Sequence, residues 1–148
     1  MFLTPEEQIC FKFRVGEVYG EERFIRTEVF INEQGFKNEF DEKDPGALHL
    51  VLFADGGPAA CGRLLRGPDE KIFIIGRVAV LKKYRGRGLG STVVQVLEDR
   101  AKKLGGESTG LSAQCRVQKF YEKLGYEAQG EKYFDEYCQH IYMQKRLL

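Results

Sequence analysis

The hexapeptide Arg85-Gly86-Arg87-Gly88-Leu89-Gly90 lies between a strand-like run, Ile72 to Val80, and an amphipathic stretch opening at Ser91. A glycine-rich turn in that position leaves backbone N–H groups unpaired at a helix N-terminus, and the helix dipole adds to their attraction for an anion. Glycine also admits torsions closed to other residues and removes side chains that would hold a ligand away. Lys82, Lys83, Arg85 and Arg87 add positive charge around the turn. This chemistry suits a pyrophosphate; a basic strand–helix turn closed by glycines, binding nothing, is the alternative. No Gly-Lys-Ser or Gly-Lys-Thr follows, which excludes a P-loop. Ser91 stands where a dinucleotide fingerprint needs its third glycine.

A second motif, Phe120-Tyr121-Glu122-Lys123-Leu124-Gly125-Tyr126, follows a short strand candidate, Ser108 to Ala113. The order of the two motifs and their spacing resemble the GNAT N-acetyltransferases. There, Arg-x-x-Gly-x-Gly after a strand such as Arg77-Val78-Ala79-Val80 binds acyl-CoA. The resemblance implies an α+β fold with a mixed, mostly antiparallel sheet, splayed open between the fourth and fifth strands and flanked by helices. It implies acetyl-CoA as co-substrate, with Arg85, Gly86, Arg87, Gly88, Leu89, Gly90 and Ser91 on its phosphates. Val78, Ala79 and Val80 would pair with its pantetheine arm and offer a backbone donor to the oxyanion. Tyr121 would protonate the departing sulfur, although a Phe-Tyr pair in an amphipathic helix is often only core. Gln114 holds the position of a family Asn; its amide sits one methylene further out and is a candidate cofactor contact.

The chemistry also needs a proton acceptor, because an alkyl amine with a pKa of about 10.4 is mostly charged at neutral pH. Glu28, Glu33, Asp41, Asp44, His49 and His140 are the candidates. Arg26-x-x-Val29-Phe30-x-x-Glu33-Gln34, then Glu39-x-Asp41-x-x-Asp44 and His49, resembles the ElaA-like branch of the same superfamily. So do Gly62-Arg63, Ala113-Gln114 and His140-x-x-Met143. On that reading Glu33 and His49 are catalytic on the acceptor side. Asp41, Asp44, Arg63, Arg77 and His140 are substrate contacts. An arginine inside a strand must otherwise find an acid, because burying it unpaired is costly. Pairing of Arg63 and Arg77 with the acids of 33–44 is therefore the competing expectation.

The chain of 148 residues, 43% hydrophobic and 30% charged, reads as one soluble domain over 1–148. Net charge of +1 gives no general reason to bind nucleic acid. No apolar run approaches the roughly 20 residues that cross a bilayer. Met1 to Glu7 lacks a secretory pattern, and Cys10, Cys61, Cys115 and Cys138 are scattered without a C-x-x-C pair. A cytoplasmic location follows, and no metal is expected, since thioester aminolysis needs none. Segment 33–44 holds five acids against two lysines. An acidic loop beside a basic cradle suits an anionic co-substrate and a cationic acceptor; a merely solvated loop is the alternative. The function implied is acetyl transfer to a primary amine of a small molecule such as a polyamine, amino sugar or amino acid. A protein N-acetyltransferase and a CoA-binding regulatory module are the other readings.

The elements expected to position these groups are strands at 11–15, 48–54, 59–66, 72–80, 108–113 and 140–145. Helices are expected at 21–32, 91–104 and 116–124, the second with an apolar stripe of Val93, Val96, Leu97, Ala101 and Leu104. The terminal strand, if exposed, could pair across a homodimer.

Overall fold

The computed structural model describes residues 9–18 and 20–148; the N-terminal reading of Met1 to Glu7 falls outside the described residues. Seven strands form one sheet in the order β1-β2-β3-β4-β5-β7-β6. They are β1 (Ile9–Val15), β2 (Leu48–Ala54), β3 (Gly57–Arg66), β4 (Ile72–Val80), β5 (Ser108–Gln114), β6 (Glu127–Asp135) and β7 (Cys138–Arg146). Only β4 and β5 run parallel; the other pairs are antiparallel. The helices are α1 (Gly20–Arg26), α2 (Leu89–Lys103) and α3 (Gln118–Lys123).

Successive strand residues point to opposite faces, and two neighbours on β3 show what each face carries. Gly62 lies under α2: a Cβ there would come within 2.7 Å of Val93 and 2.8 Å of Leu97. Arg63 faces the other way, towards Asp41 and Asp44 of the 39–44 loop. Val93, Val94, Leu97 and Ala101 are fully buried, whereas Leu104 lies past the helix end and is exposed. Val94 therefore takes the place in the stripe that periodicity gave to Leu104.

β4 pairs with β5 only from Ile72–Ile75 to Ser108–Leu111. Beyond that point β5 continues beside β7 alone. A bulge marks the parting: the β3–β4 register slips between Cys61/Ala79 and Arg63/Gly76, with Arg77 at a positive φ of 53°. A bulge adds a residue, bends the strand and re-aims its side chains. Arg77 is turned to the acidic loop, while Val78 and Val80 both reach the α2 side, where Gly62 and Gly90 lie. The sheet is splayed between its fourth and fifth strands.

Two departures from the sequence reading have local causes. The helix expected at 21–32 becomes α1 followed by a π-helical stretch, Thr27–Glu33, closed by Gln34 N–H to Val29 O at 3.1 Å. The wider turn moves Glu33 and Gln34 one position around the axis, and such turns often mark functional sites. β6 was not expected: all nine residues are exposed and Gly130 interrupts it at φ 77°, so no apolar alternation announces it. It flanks the terminal strand β7, which is therefore interior; the open edges are β1 and β6.

Candidate active site

Two cavities meet where β4 and β5 part. The larger, about 500 Å³, runs from the turn Arg85–Ser91 along Val78–Val80 to Phe120 and Tyr121. The smaller, about 180 Å³, lies among Gly76–Val78, the end of β5, His140 and the loop that begins at Gln34. Gln34, Val78, Arg116, Val117 and Tyr121 line both.

In the larger cavity, Gly86 and Gly88 take left-handed torsions, φ 84° and 75°, and Gly88 caps α2. The N–H groups of Leu89, Gly90 and Ser91 fall in the first turn of α2, where no intrahelical acceptor exists. Thr92 N–H closes that turn on Gly88 O at 3.1 Å. Arg85 donates its fork to Glu33 at 2.8 and 2.9 Å and its Nε–H to Val80 O at 3.0 Å. Arg87 pairs with Asp55 at 2.7 Å. The turn expected to cradle phosphate lines the larger cavity, and Glu33, expected on the acceptor side, lines the same cavity and is paired to Arg85.

Gln114 lies on the other side. Its Nε2–H donates to Gln34 Oε1 at 2.9 Å and its Oε1 accepts from Arg116 Nε–H at 2.8 Å, a chain that spans the splay. Tyr121 stands at the junction, edge-on to Phe120 at 4.9 Å and to Tyr126 at 5.9 Å. Its hydroxyl makes no hydrogen bond among the described residues. Burial pushes its pKa up to about 12, so the proton stays on at neutral pH. His140 lines the smaller cavity, with Nδ1 3.0 Å from Cys138 O and its ring stacked on Tyr133 at 6.1 Å. The β6–β7 turn is tied to the loop that forms another wall of this cavity. Glu136 accepts from the N–H groups of Lys37 and Asn38 at 2.9 and 3.0 Å, Tyr137 O–H bonds Gln34 O, and Phe36 packs on Tyr137.

The remaining candidates form a buried ionic network. Arg26, fully buried, donates to Glu22, Glu39 and Asp44, each at 2.8 Å. Arg63 pairs with Asp41 and Asp44 at 2.8 Å, and Arg77 with Glu39 at 2.9 Å and Asp41 at 3.2 Å. Pairing of the strand arginines with the loop acids is what the structure holds. Burial opposes the ionised Asp41 and Asp44, but the guanidiniums outweigh it and keep both carboxyls below the usual range. His49 Nε2 is 2.8 Å from Asp44 O, a pure acceptor, and Nδ1 is 2.8 Å from the Glu22 carboxylate. Both ring nitrogens therefore donate, and no lone pair is left for a base. Glu22, Asp44 and His49 bring ligand-type atoms within 4.8 Å of one another. The Arg26 guanidinium already takes the place a cation would need there.

Burial would depress the His49 pKa, yet the Glu22 contact outweighs it and the imidazole titrates above its usual value. A raised folded-state pKa stabilises fully below about pH 6.5, and that contribution is lost as pH climbs through the folded value. Melting temperature should therefore fall with rising pH in that window, and His49→Gln should flatten the fall. An unchanged slope in the variant would place the titrating group elsewhere.

Sequence reasoning passed over Glu22, whose i,i+4 spacing from Arg26 was the available signal. It also passed over Arg116, which nothing local distinguishes from a solvated helix-start residue.

The geometry agrees with comparisons to known proteins. A family model described as an acetyltransferase (GNAT) domain matches residues 15–147. YjcF of Bacillus subtilis, named an uncharacterized N-acetyltransferase, is 32% identical over 125 residues, 82% of this chain and 88% of that one. Among solved structures, an acyl-CoA N-acyltransferase from Pseudomonas aeruginosa superposes with a TM-score of 0.80 at 28% identity, covering 93% of this chain and 99% of the other. ElaA of Escherichia coli shares the fold at a TM-score of 0.78 and 23% identity, with coverage of 93% and 99%.

Proposed function

Because this chain belongs to the GNAT acetyltransferases, we propose that it moves the acetyl group of acetyl-CoA to a primary amine of a small molecule by direct attack in a ternary complex. The observation that carries this reading is the meeting, at Tyr121, of a cavity that holds the glycine turn and a smaller one beside it. A volume of about 180 Å³ beside the β6–β7 turn supports a compact acceptor such as a polyamine, amino sugar or amino acid rather than a protein chain. The residues present fit acetyl-CoA: Gly90 has no side chain to block the mouth, and the first-turn N–H groups of α2 are open to an anion. When bound, the thioester supplies an activated acyl carbon with a thiolate leaving group.

This chain would do the rest. Arg85 and the turn 86–91 hold the phosphates. Val78–Val80, left without a β5 partner, offers backbone hydrogen bonds to the pantetheine arm and an N–H to the developing oxyanion. Tyr121 keeps its proton until charge grows on the departing sulfur and then donates to it. The unpaired cysteines support a reducing cytoplasm as the working compartment.

Thiol release from acetyl-CoA across a panel of polyamines, amino sugars, amino acids and peptides tests the reading. Release with one small-amine class supports it; release with peptides alone would overturn the acceptor assignment. Tyr121→Phe should lower kcat on the order of 100-fold, in the range of general-acid contributions. Acetyl-CoA affinity by calorimetry should be unchanged. A variant with wild-type kcat under conditions where chemistry limits would remove Tyr121 from the acid role.

A further inference from the structure

Resting on that reading, we propose that His140 is the proton acceptor for the attacking amine, acting through Nε2. Three observations converge. First, Nδ1 lies 3.0 Å from the Cys138 carbonyl, which can only accept, so Nδ1 carries a proton. The second nitrogen, Nε2, has no hydrogen-bond partner among the described residues. Secondly, His140 is buried to 7% exposure and lines the acceptor cavity that Tyr121 also lines. The β5–β7 register sets it opposite Gln114, at the end of β5 where the sheet has opened. Tyr133 and Phe36 hold the ring between them. Thirdly, three of the rival bases are committed. Glu33 is forked to Arg85 in the other cavity, Glu39 is bound by Arg26 and Arg77, and His49 donates from both nitrogens. The other charged groups lining the cavity are Arg77, Arg116 and Asp135, the last on the exposed hairpin tip.

The step balances as follows. The ammonium of the acceptor gives a proton to Nε2, and the freed lone pair forms the C–N bond at the thioester carbon. The carbonyl π pair moves to oxygen, then returns as the C–S bond breaks with its pair on sulfur. Tyr121 protonates sulfur and is reprotonated by the nitrogen of the intermediate. The products are the amide, CoA thiol and one proton, which leaves from the His140 imidazolium to water.

The chain has two histidines, so their imidazole ¹⁵N signals can be assigned by substitution of either. In its uncharged form His140 should carry its proton on Nδ1 and leave Nε2 bare, whereas His49 should show two protonated nitrogens at neutral pH. An uncharged His140 with its proton on Nε2 would overturn the proposal. In kinetics, His140→Gln should lower kcat/KM for spermidine, glucosamine or lysine, whichever the wild type uses best, by about 100-fold or more. With hydroxylamine, which is largely uncharged at pH 7, the loss should be only severalfold. Acetyl-CoA affinity and melting temperature should stay at wild-type values. Equal losses with charged and uncharged nucleophiles would make His140 a packing residue. A large selective loss in Asp135→Asn, with His140→Gln active, would move the role to Asp135. If the wild type turns over none of these amines, while the His140 tautomer is as stated, the transferase reading fails rather than the geometry.

Discussion

Gly90→Glu should abolish acetyl-CoA binding, with no calorimetric heat at concentrations that saturate the wild type. A Cβ at this position would already lie 3.3 Å from Phe120 Cζ and 3.7 Å from Val80 Cγ2, so a longer side chain must project into the cradle. Its carboxylate would then stand at the helix N-terminus, where the phosphates need the dipole and the N–H groups. Gly88→Glu should do the same for a partly different reason. There is open space around Gly88, but its φ of 75° is left-handed, which costs most residues about 1–2 kcal/mol. Gly88→Asn separates the two causes, because asparagine tolerates that torsion and brings no charge; it should keep most of the affinity. Wild-type binding by Gly90→Glu would sink the assignment of this turn to phosphate.

Arg26→Leu should cost about 3–5 kcal/mol, a large part of the roughly 5–15 kcal/mol that holds a domain folded. The guanidinium is fully buried, and its Nε, Nη1 and Nη2 serve Glu22, both the carboxylate and the carbonyl of Glu39, and Asp44. Removing it leaves three buried carboxylates short of a cation, with only Arg63, Arg77 and His49 to answer them. Arg26→Lys should not rescue the fold, because one ammonium cannot match a planar fork shared among so many acceptors. Urea denaturation reads the effect. A loss under 1 kcal/mol in Arg26→Leu would show that the network contributes little and that α1 is held by Ile25 and its apolar neighbours alone.

What could be read from the sequence was local. β2 and β4 were expected at their observed bounds, because short apolar runs between turn residues leave little choice. The turn at 85–91 was legible because glycines announce its backbone conformation. The partition of the polar candidates was not. Glu33 and Asp41 lie on one acidic segment, yet a π-helical turn sends the first to the larger cavity while the loop carries the second into the core network. Gln114, read as a cofactor contact, bridges Gln34 and Arg116 because the splay sets β5 against the 34–40 loop. His49 and His140 look alike in sequence, each a lone histidine in an apolar strand. Only their hydrogen-bond partners, Glu22 on a distant helix for one and the nearby Cys138 carbonyl for the other, distinguish a fixed cation from an available lone pair.

The fork between Arg85 and Glu33 bears on how the co-substrate arrives. On the proposed reading, an anion entering the cradle would displace a tethered arginine rather than meet a bare one, so loading would be an exchange of counter-ions. Part of the charge gained on binding is thus already present in the empty protein, and affinity for acetyl-CoA should weaken with added salt less steeply than the four basic residues of 82–87 would suggest. The displaced Glu33 carboxylate, set free next to Gln34, would then be the first group to report occupancy to the acceptor side.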